Sequence, residues 1–137
     1  MNLKQSIQDF RETHRNSFNL VTHILSGFLY MTLFLLMFGK YAYVAYTGIV
    51  FLLLPKYTLA ILLMFVGLFF FTNIIQQTLR LTTTTSILVI LVFYFGLDLS
   101  HWLTNEPTAL TIQNITIPAV LENFFLLLPY SIITSLT

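Results

Sequence analysis

The chain has 137 residues, 57% of them hydrophobic and 16% aromatic, with six Lys+Arg against five Asp+Glu and no cysteine. Charged residues make up 8%, where a soluble domain carries about a quarter, so they cannot hydrate the surface of a globule this size. The same counts exclude a disulfide scaffold, thiolate catalysis and Cys-type zinc sites, and, for want of a basic stripe, nucleic-acid binding.

Residues 1–16 form a polar N-terminal element. Within it Leu3, Ile7, Phe10 and Thr13 recur at i, i+3/i+4, the spacing of an amphipathic helix over 3–15. A first membrane helix is expected over 17–38, with Ser17 as its N-cap and Gly39-Lys40 as its stop. A second segment covers 41–54 and ends at Pro55, and a third covers 57–78. The threonines Thr82 to Thr85 lead into a fourth, 86–103. After a loop at Asn105-Glu106-Pro107 comes an apolar region over 118–135 containing Pro118 and Pro129. Proline inside a helix removes a backbone hydrogen bond, so a kinked or re-entrant segment is expected there. The first apolar run starts too late and is too long for a secretory signal peptide. The expected fold is a single all-α, polytopic membrane bundle of four spanning helices plus this fifth segment.

Charge spacing supports those spans. Twenty-four uncharged residues separate Arg15 from Lys40, and 23 separate Lys56 from Arg80. Both exceed the ~20 that a bilayer core ~30 Å thick requires. The gap from Lys40 to Lys56 is only 15 residues, so segment 41–54 either crosses in a tilted or thinned setting or dips in and out. With four crossings, His14, His23 and His101 share one membrane face; with a dip, His101 goes to the opposite face. Four crossings are preferred. Lys4, Arg11, Arg15 and Lys56 on the N-terminal side, against Lys40 and Arg80, then place the N-terminus and the histidines on the cytoplasmic side.

Two constellations carry chemistry. FRETHRNSFNLVTH contains H-x-N-x-x-N-x-x-x-H, made of His14, Asn16, Asn19 and His23. On one continuous helix the two histidines would point in opposite directions. A break at Asn16-Ser17, with Asn in the left-handed conformation that ends helices, would fold His14 back over the helix bearing His23. Asn19 and His23, at i and i+4, share a face, so Asn19 can orient the imidazole. LDLSHWLTNEP supplies Asp98, His101 and Glu106. An aspartate within an apolar span marks a functional candidate, though Asp98 could simply pair with Arg15. Three imidazoles and a carboxylate suit iron(II) with vacant positions, or zinc.

Other polar and aromatic groups have plainer readings. A single interfacial histidine is usually a headgroup or packing contact. Tyr41, Tyr43 and Tyr46 read as an interfacial belt and Phe69-Phe70-Phe71 as lipid-facing bulk. Asn73, Gln76 and Gln77 read as helix–helix glue. Asn114-Ile115-Thr116 matches a glycosylation sequon, a short and common pattern.

Thr13-His14-Arg15-Asn16-Ser17-Phe18-Asn19, followed by His23, resembles the early segment Y-x-x-H-x-N-P-x-N-x-x-x-H of the small membrane dioxygenases that act on 2-hydroxy fatty acids, the fungal 2-hydroxypalmitate dioxygenases and their bacterial relatives. Ser17 stands where proline is usual. Ser100-His101-Trp102-Leu103-Thr104-Asn105-Glu106-Pro107-Thr108-Ala109-Leu110 resembles their later G-H-x-x-F-E-x-x-x-P-A-L, with Glu106 displaced by one position and Pro107 by two. Family members tend to carry a further histidine near a middle segment, where this chain has Gln76 and Gln77. The resemblance implies an Fe(II)-dependent alpha-oxidation in which a 2-hydroxy fatty acid and dioxygen give an acid one carbon shorter. It makes His14, His23 and His101 the metal ligands, Asp98 or Glu106 a fourth ligand or base, and Asn16 and Asn19 the residues that order them. The partners are then the substrate, dioxygen and the lipid bilayer, with a homo-oligomer compatible and no nucleic acid. Competing functions are a non-enzymatic membrane subunit or scaffold and a haem-binding protein with His23 and His101 as axial ligands; a transporter is disfavoured by the lack of an inverted repeat.

Overall fold

A computed structural model describes residues 2–108 and 116–137. Asn114 and Ile115 of the sequon, and Ala109 and Leu110 of the family-like segment, lie outside the described residues. Among the described residues six α-helices follow one another: α1 (Leu3–Thr13), α2 (Ser17–Leu36), α3 (Ala42–Leu53), α4 (Thr58–Thr78), α5 (Thr83–Thr104) and α6 (Ile117–Leu136), with a 3-10 turn at Pro55–Tyr57 before α4. The chain is an all-α bundle, and among the described residues four helices are long and apolar enough to cross a bilayer: α2, α4 with its preceding turn, α5 and α6. Side chains such as Tyr30, Met31, Met64, Leu68 and Leu128 are fully buried, while Leu88, Val92, Phe95 and Trp102 of α5 point outward. Helices apolar on both faces need lipid around them. The protein is an integral membrane protein.

Direction follows from side-chain pairs. Asn19 of α2 meets His101 of α5, and further along Tyr30 meets Tyr94, so the two helices are antiparallel. Gly27 abuts Leu127 and Leu128, while Phe34 meets Phe124 and Phe125, so α6 is antiparallel to α2 as well. Its end returns to α1, where Arg11 Nη2 donates to Thr137 Oγ1 at 2.7 Å. Helix α3 spans only 12 residues, about 18 Å of rise, yet its end joins a cleft with Leu3 and Ile7 of α1. The chain therefore returns to the α1 end after α3 and again after α5.

Several boundaries differ from the sequence expectation, each for a local reason. Asn16, rather than Ser17, caps α2: its Oδ1 accepts from the Phe18 N–H at 2.9 Å. Its backbone is extended rather than left-handed (φ −79, ψ 128). Helix α5 begins at Thr83, three residues early, because Thr82 caps it through Thr85 N–H at 3.2 Å. Gly39 adopts φ +123 in the turn after α2, a conformation that costs glycine little.

The C-terminal segment is the largest difference: α6 is one 20-residue helix rather than a re-entrant one. Pro118 sits in its first turn, where the missing N–H removes no helical bond, and Thr116 Oγ1 caps Ala119 N–H at 3.3 Å. Pro129 lies in the interior and deprives the carbonyl four residues earlier, that of Phe125, of its helical donor. The Tyr46 hydroxyl donates to that carbonyl. Hence Tyr43 and Tyr46 are buried rather than belt residues, whereas Tyr41 is exposed.

Tyr46→Phe should lower stability in detergent by about 1–3 kcal/mol, the cost of an unsatisfied buried acceptor. In a Pro129→Ala background the restored N–H replaces the hydroxyl, and most of that loss should vanish. Thermal unfolding of the four-member mutant cycle reads this; equal Tyr46→Phe losses in both backgrounds refute the assignment.

Candidate metal centre

The break between α1 and α2 is what brings distant residues together. Thr13 ends α1 and Asn16 caps α2, so residues 14–16 turn the chain. His14 thereby stacks on Phe10 at 3.7 Å between ring centroids, 8° from parallel, with its far edge toward α2. His23 lies a turn beyond Asn19 on the same face of α2. His101 arrives on the last turns of α5. All three imidazoles are at most 4% exposed. Their centroids are 4.2, 4.5 and 4.9 Å apart, each ring nearly perpendicular to the others.

Backbone carbonyls set the tautomers of two rings. His14 Nδ1–H donates to Phe10 O at 2.7 Å, and His23 Nδ1–H donates to Asn19 O at 2.8 Å. Each ring therefore presents the Nε2 lone pair inward, the orientation that such outer partners impose on metal-ligating histidines. His23 Nε2 lies 3.2 Å from His101 Nε2, so His101 donates that proton. His14 Nε2 is buried and has no hydrogen-bond partner among the described residues. Burial, reinforced by the charge His23 would carry, pushes the His14 imidazole down to about 3, against the opposing bond to Phe10. The ring is thus neutral near pH 7, as a ligand must be.

Asn19, fully buried, ties the elements together. Its Nδ2 donates to Glu106 Oε2 at 2.6 Å and faces His101 Nδ1 at 3.1 Å, and its Oδ1 accepts from Ser100 Oγ at 2.6 Å. Glu106 Oε1 also accepts from the backbone N–H of Asn16 at 2.7 Å. The left-handed turn at Asn105, φ 54, directs Glu106 back toward α2. Glu106 is thus engaged by the two asparagines, while Asp98, one turn before His101, lines a cavity of about 220 Å³ with the three histidines, Tyr94 and Leu127. Gln76 lines a different cavity with Arg80, at the opposite end of the bundle. Phe10 and Ser100 belong to the centre although sequence reasoning passed over them. Their signal was spacing: Phe10 precedes His14 by one helical turn, and Ser100 adjoins His101.

The donor set fits a cation. Metal–imidazole distances of ~2.0–2.1 Å put neighbouring donor nitrogens roughly 3 Å apart. The His23–His101 pair already has that separation, and the donor atoms of all three residues lie within 4.8 Å of one another. A buried, uncharged, mutually facing donor set with one orphaned nitrogen is the group His14, His23 and His101 would offer to a metal ion. Comparison of the chain with protein-family profiles, characterised proteins and solved structures gives no match.

Asn19→Ala should destabilise the fold by about 1–3 kcal/mol, because it strands Ser100, His101 and the Glu106 carboxylate together. Asn16→Ala, which removes only a cap side chain, should cost about 1 kcal/mol. Thermal unfolding of the two variants in one detergent gives the order; a reversed order would show that Asn19 is not the tie.

Proposed function

We propose that this chain is an Fe(II)-dependent membrane dioxygenase of fatty-acid alpha-oxidation. The observation that carries this reading is the convergence of His14, His23 and His101, with inward Nε2 atoms, on a cavity shared with Asp98. The motif resemblance supplies the substrate class. The reaction is R–CH(OH)–COOH + O2 → R–COOH + CO2 + H2O, in which the bond between the first and second carbons breaks and dioxygen is reduced.

Iron(II) held by the three imidazoles would supply dioxygen activation and vacant positions for the substrate's hydroxyl and carboxylate. The remaining work falls to side chains. Phe10 O and Asn19 O hold the Nδ1 protons of His14 and His23, which fixes the direction of both lone pairs. For His23 and His101 both to hold a cation, neither Nε2 could carry the proton they share; the His101 Nδ1–H would then need an acceptor, and the Pro107 backbone carbonyl lies against that ring. Asp98 faces the cavity and accepts the proton released by the substrate hydroxyl. Glu106 keeps Asn16 and Asn19 in register. Phe10, Leu97 and Leu127 line the same cavity and suit the first methylenes of an acyl tail. The excess of Lys and Arg at the α1 end supports a cytoplasmic side for the centre.

A haem reading fits less well, since three edge-on rings within 4.9 Å leave no slot for a planar macrocycle. A non-enzymatic subunit with incidental histidines is the other alternative, and it predicts no bound metal.

Detergent-purified protein should contain about one iron per chain and show no Soret band. It should consume dioxygen when given a 2-hydroxy fatty acid and release a product one carbon shorter. His23→Ala with His101→Ala should remove the iron, and Asp98→Asn should retain iron but lose at least a hundred-fold in rate, the usual scale for a general base. Unchanged iron in the purified double variant defeats the metal assignment; iron without oxygen uptake defeats the reaction.

A further inference from the structure

A second feature lies at the same end of the bundle and is independent of the histidines. The first turn of α1 and the turn between α3 and α4 face each other across a cleft of about 320 Å³. Its floor is apolar, made by Leu3, Ile7 and Leu54. Two lysines line it, Lys4 from α1 and Lys56 from the 3-10 turn, and Tyr57 stands beside them. No acidic side chain among the described residues lines the cleft. The first turn of α1 also carries no acid, so no carboxylate offsets the positive end of that helix, which Asn2 caps through Gln5 N–H. Two of the protein's six basic side chains thus converge with a helix N-terminus over an apolar floor.

We propose that this cleft binds the headgroup of an anionic phospholipid, its phosphate bridging Lys4 and Lys56 and its acyl chain following the apolar floor into the bilayer. The position favours a lipid. Lys56 stands in the 3-10 turn that opens the span ending in α4, where headgroups would lie, and basic pockets beside transmembrane helices on the basic side of a membrane protein recruit such lipids. Tyr57 adds an aromatic group of the kind that sits at headgroup level. Short α3 keeps the turn bearing Lys56 close to α1. The bound lipid would link two elements that few other contacts join. Ile7 and Phe10 hold α1 to the bundle by burial, and the Arg11 and Ser6 side chains bond to Thr137 and Tyr130 at the C-terminal end of the chain. Because α1 carries His14 just past its end, a headgroup clamped at Lys4 would steady that ring as well.

The test uses the full chain in a neutral detergent, titrated with phosphatidylglycerol, phosphatidylcholine or inorganic phosphate and read by native mass spectrometry and thermal unfolding. Phosphatidylglycerol should bind and raise the unfolding temperature, whereas phosphatidylcholine and inorganic phosphate at the same concentration should not. Lys4→Gln with Lys56→Gln should weaken phosphatidylglycerol binding roughly thirty-fold, about five-fold for each lysine. Lys40→Gln with Arg80→Gln, which removes the same charge from the opposite end, should leave it unchanged, and Lys4→Arg with Lys56→Arg should retain it. Equal weakening by the two neutralising pairs, or equal binding of the two lipids, overturns the site. Stabilisation by inorganic phosphate alone would overturn the lipid assignment. These readouts need neither iron nor oxygen uptake, so the outcome is separate from that of the proposed reaction.

Discussion

Three buried imidazole rings packed edge to face gain no hydrogen bonds from lipid, so their nitrogens look for partners inside the protein. That constraint organises the whole α1 end of the bundle. Phe10 O and Asn19 O take two Nδ1 protons, and Asn19 with its carboxylate partner Glu106 fills the space behind His101. The break after α1, the capping of α2 by Asn16 and the left-handed turn at Asn105 are the backbone conditions for those bonds. What is left over is one buried nitrogen, His14 Nε2, facing two others. An orphaned buried acceptor costs about 1–3 kcal/mol, and a chain with so few polar groups has little else to offset it. A cation would satisfy that nitrogen.

The same accounting of polar groups explains α6. Lipid supplies no hydrogen bonds, so a spanning helix can contain proline only where a neighbour re-satisfies the released carbonyl. Tyr46 does so for Phe125, and one residue earlier the Tyr30 hydroxyl donates to Phe124 O at 2.6 Å. Two tyrosines from different helices are therefore fastened to the backbone of α6, and this fixes its rotation. Leu127 then faces the histidine cavity, while Gly27, which has no side chain, leaves room for Leu128 against α2. The packing of the C-terminal helix and the shape of the cavity wall are thus linked through buried hydroxyls.

Much of this was legible in the residues. Long uncharged gaps announced the spans, because a charge within hydrocarbon is expensive, and the i, i+4 spacing of Asn19 and His23 put both on one face. The meeting of His14, His23 and His101 followed from counting crossings, once segment 41–54 was allowed to return the chain. The errors arose where side chains compete for backbone. Whether Asn16 or Ser17 caps α2, and whether α5 begins at Thr83 or Ser86, depends on which oxygen reaches an N–H first, and composition does not decide that. The continuity of α6 through Pro129 depends on Tyr46, 83 positions away in sequence; no local pattern carries it. Ser100 was overlooked because serine beside a histidine is common, and its value comes only from the Asn19 oxygen it meets.

The attachment of α1 bears on how the centre could work. Of the three rings, His23 and His101 ride on spanning helices packed through their length, so their 3.2 Å separation is set by the bundle. His14 sits at the end of an 11-residue amphipathic helix that lies outside the spans and is held by buried Ile7 and Phe10 and by the Arg11 and Ser6 side-chain bonds to Thr137 and Tyr130. A helix this short is marginal without such packing. The centre thus consists of a rigid pair and a third ring mounted on a separately anchored element. If the donor atoms, which lie within 4.8 Å of one another, were to close further on one ion, His14 is the ring whose support would yield most easily. A shift of His14 would carry Phe10, stacked against it, and so reshape the apolar wall of the cavity.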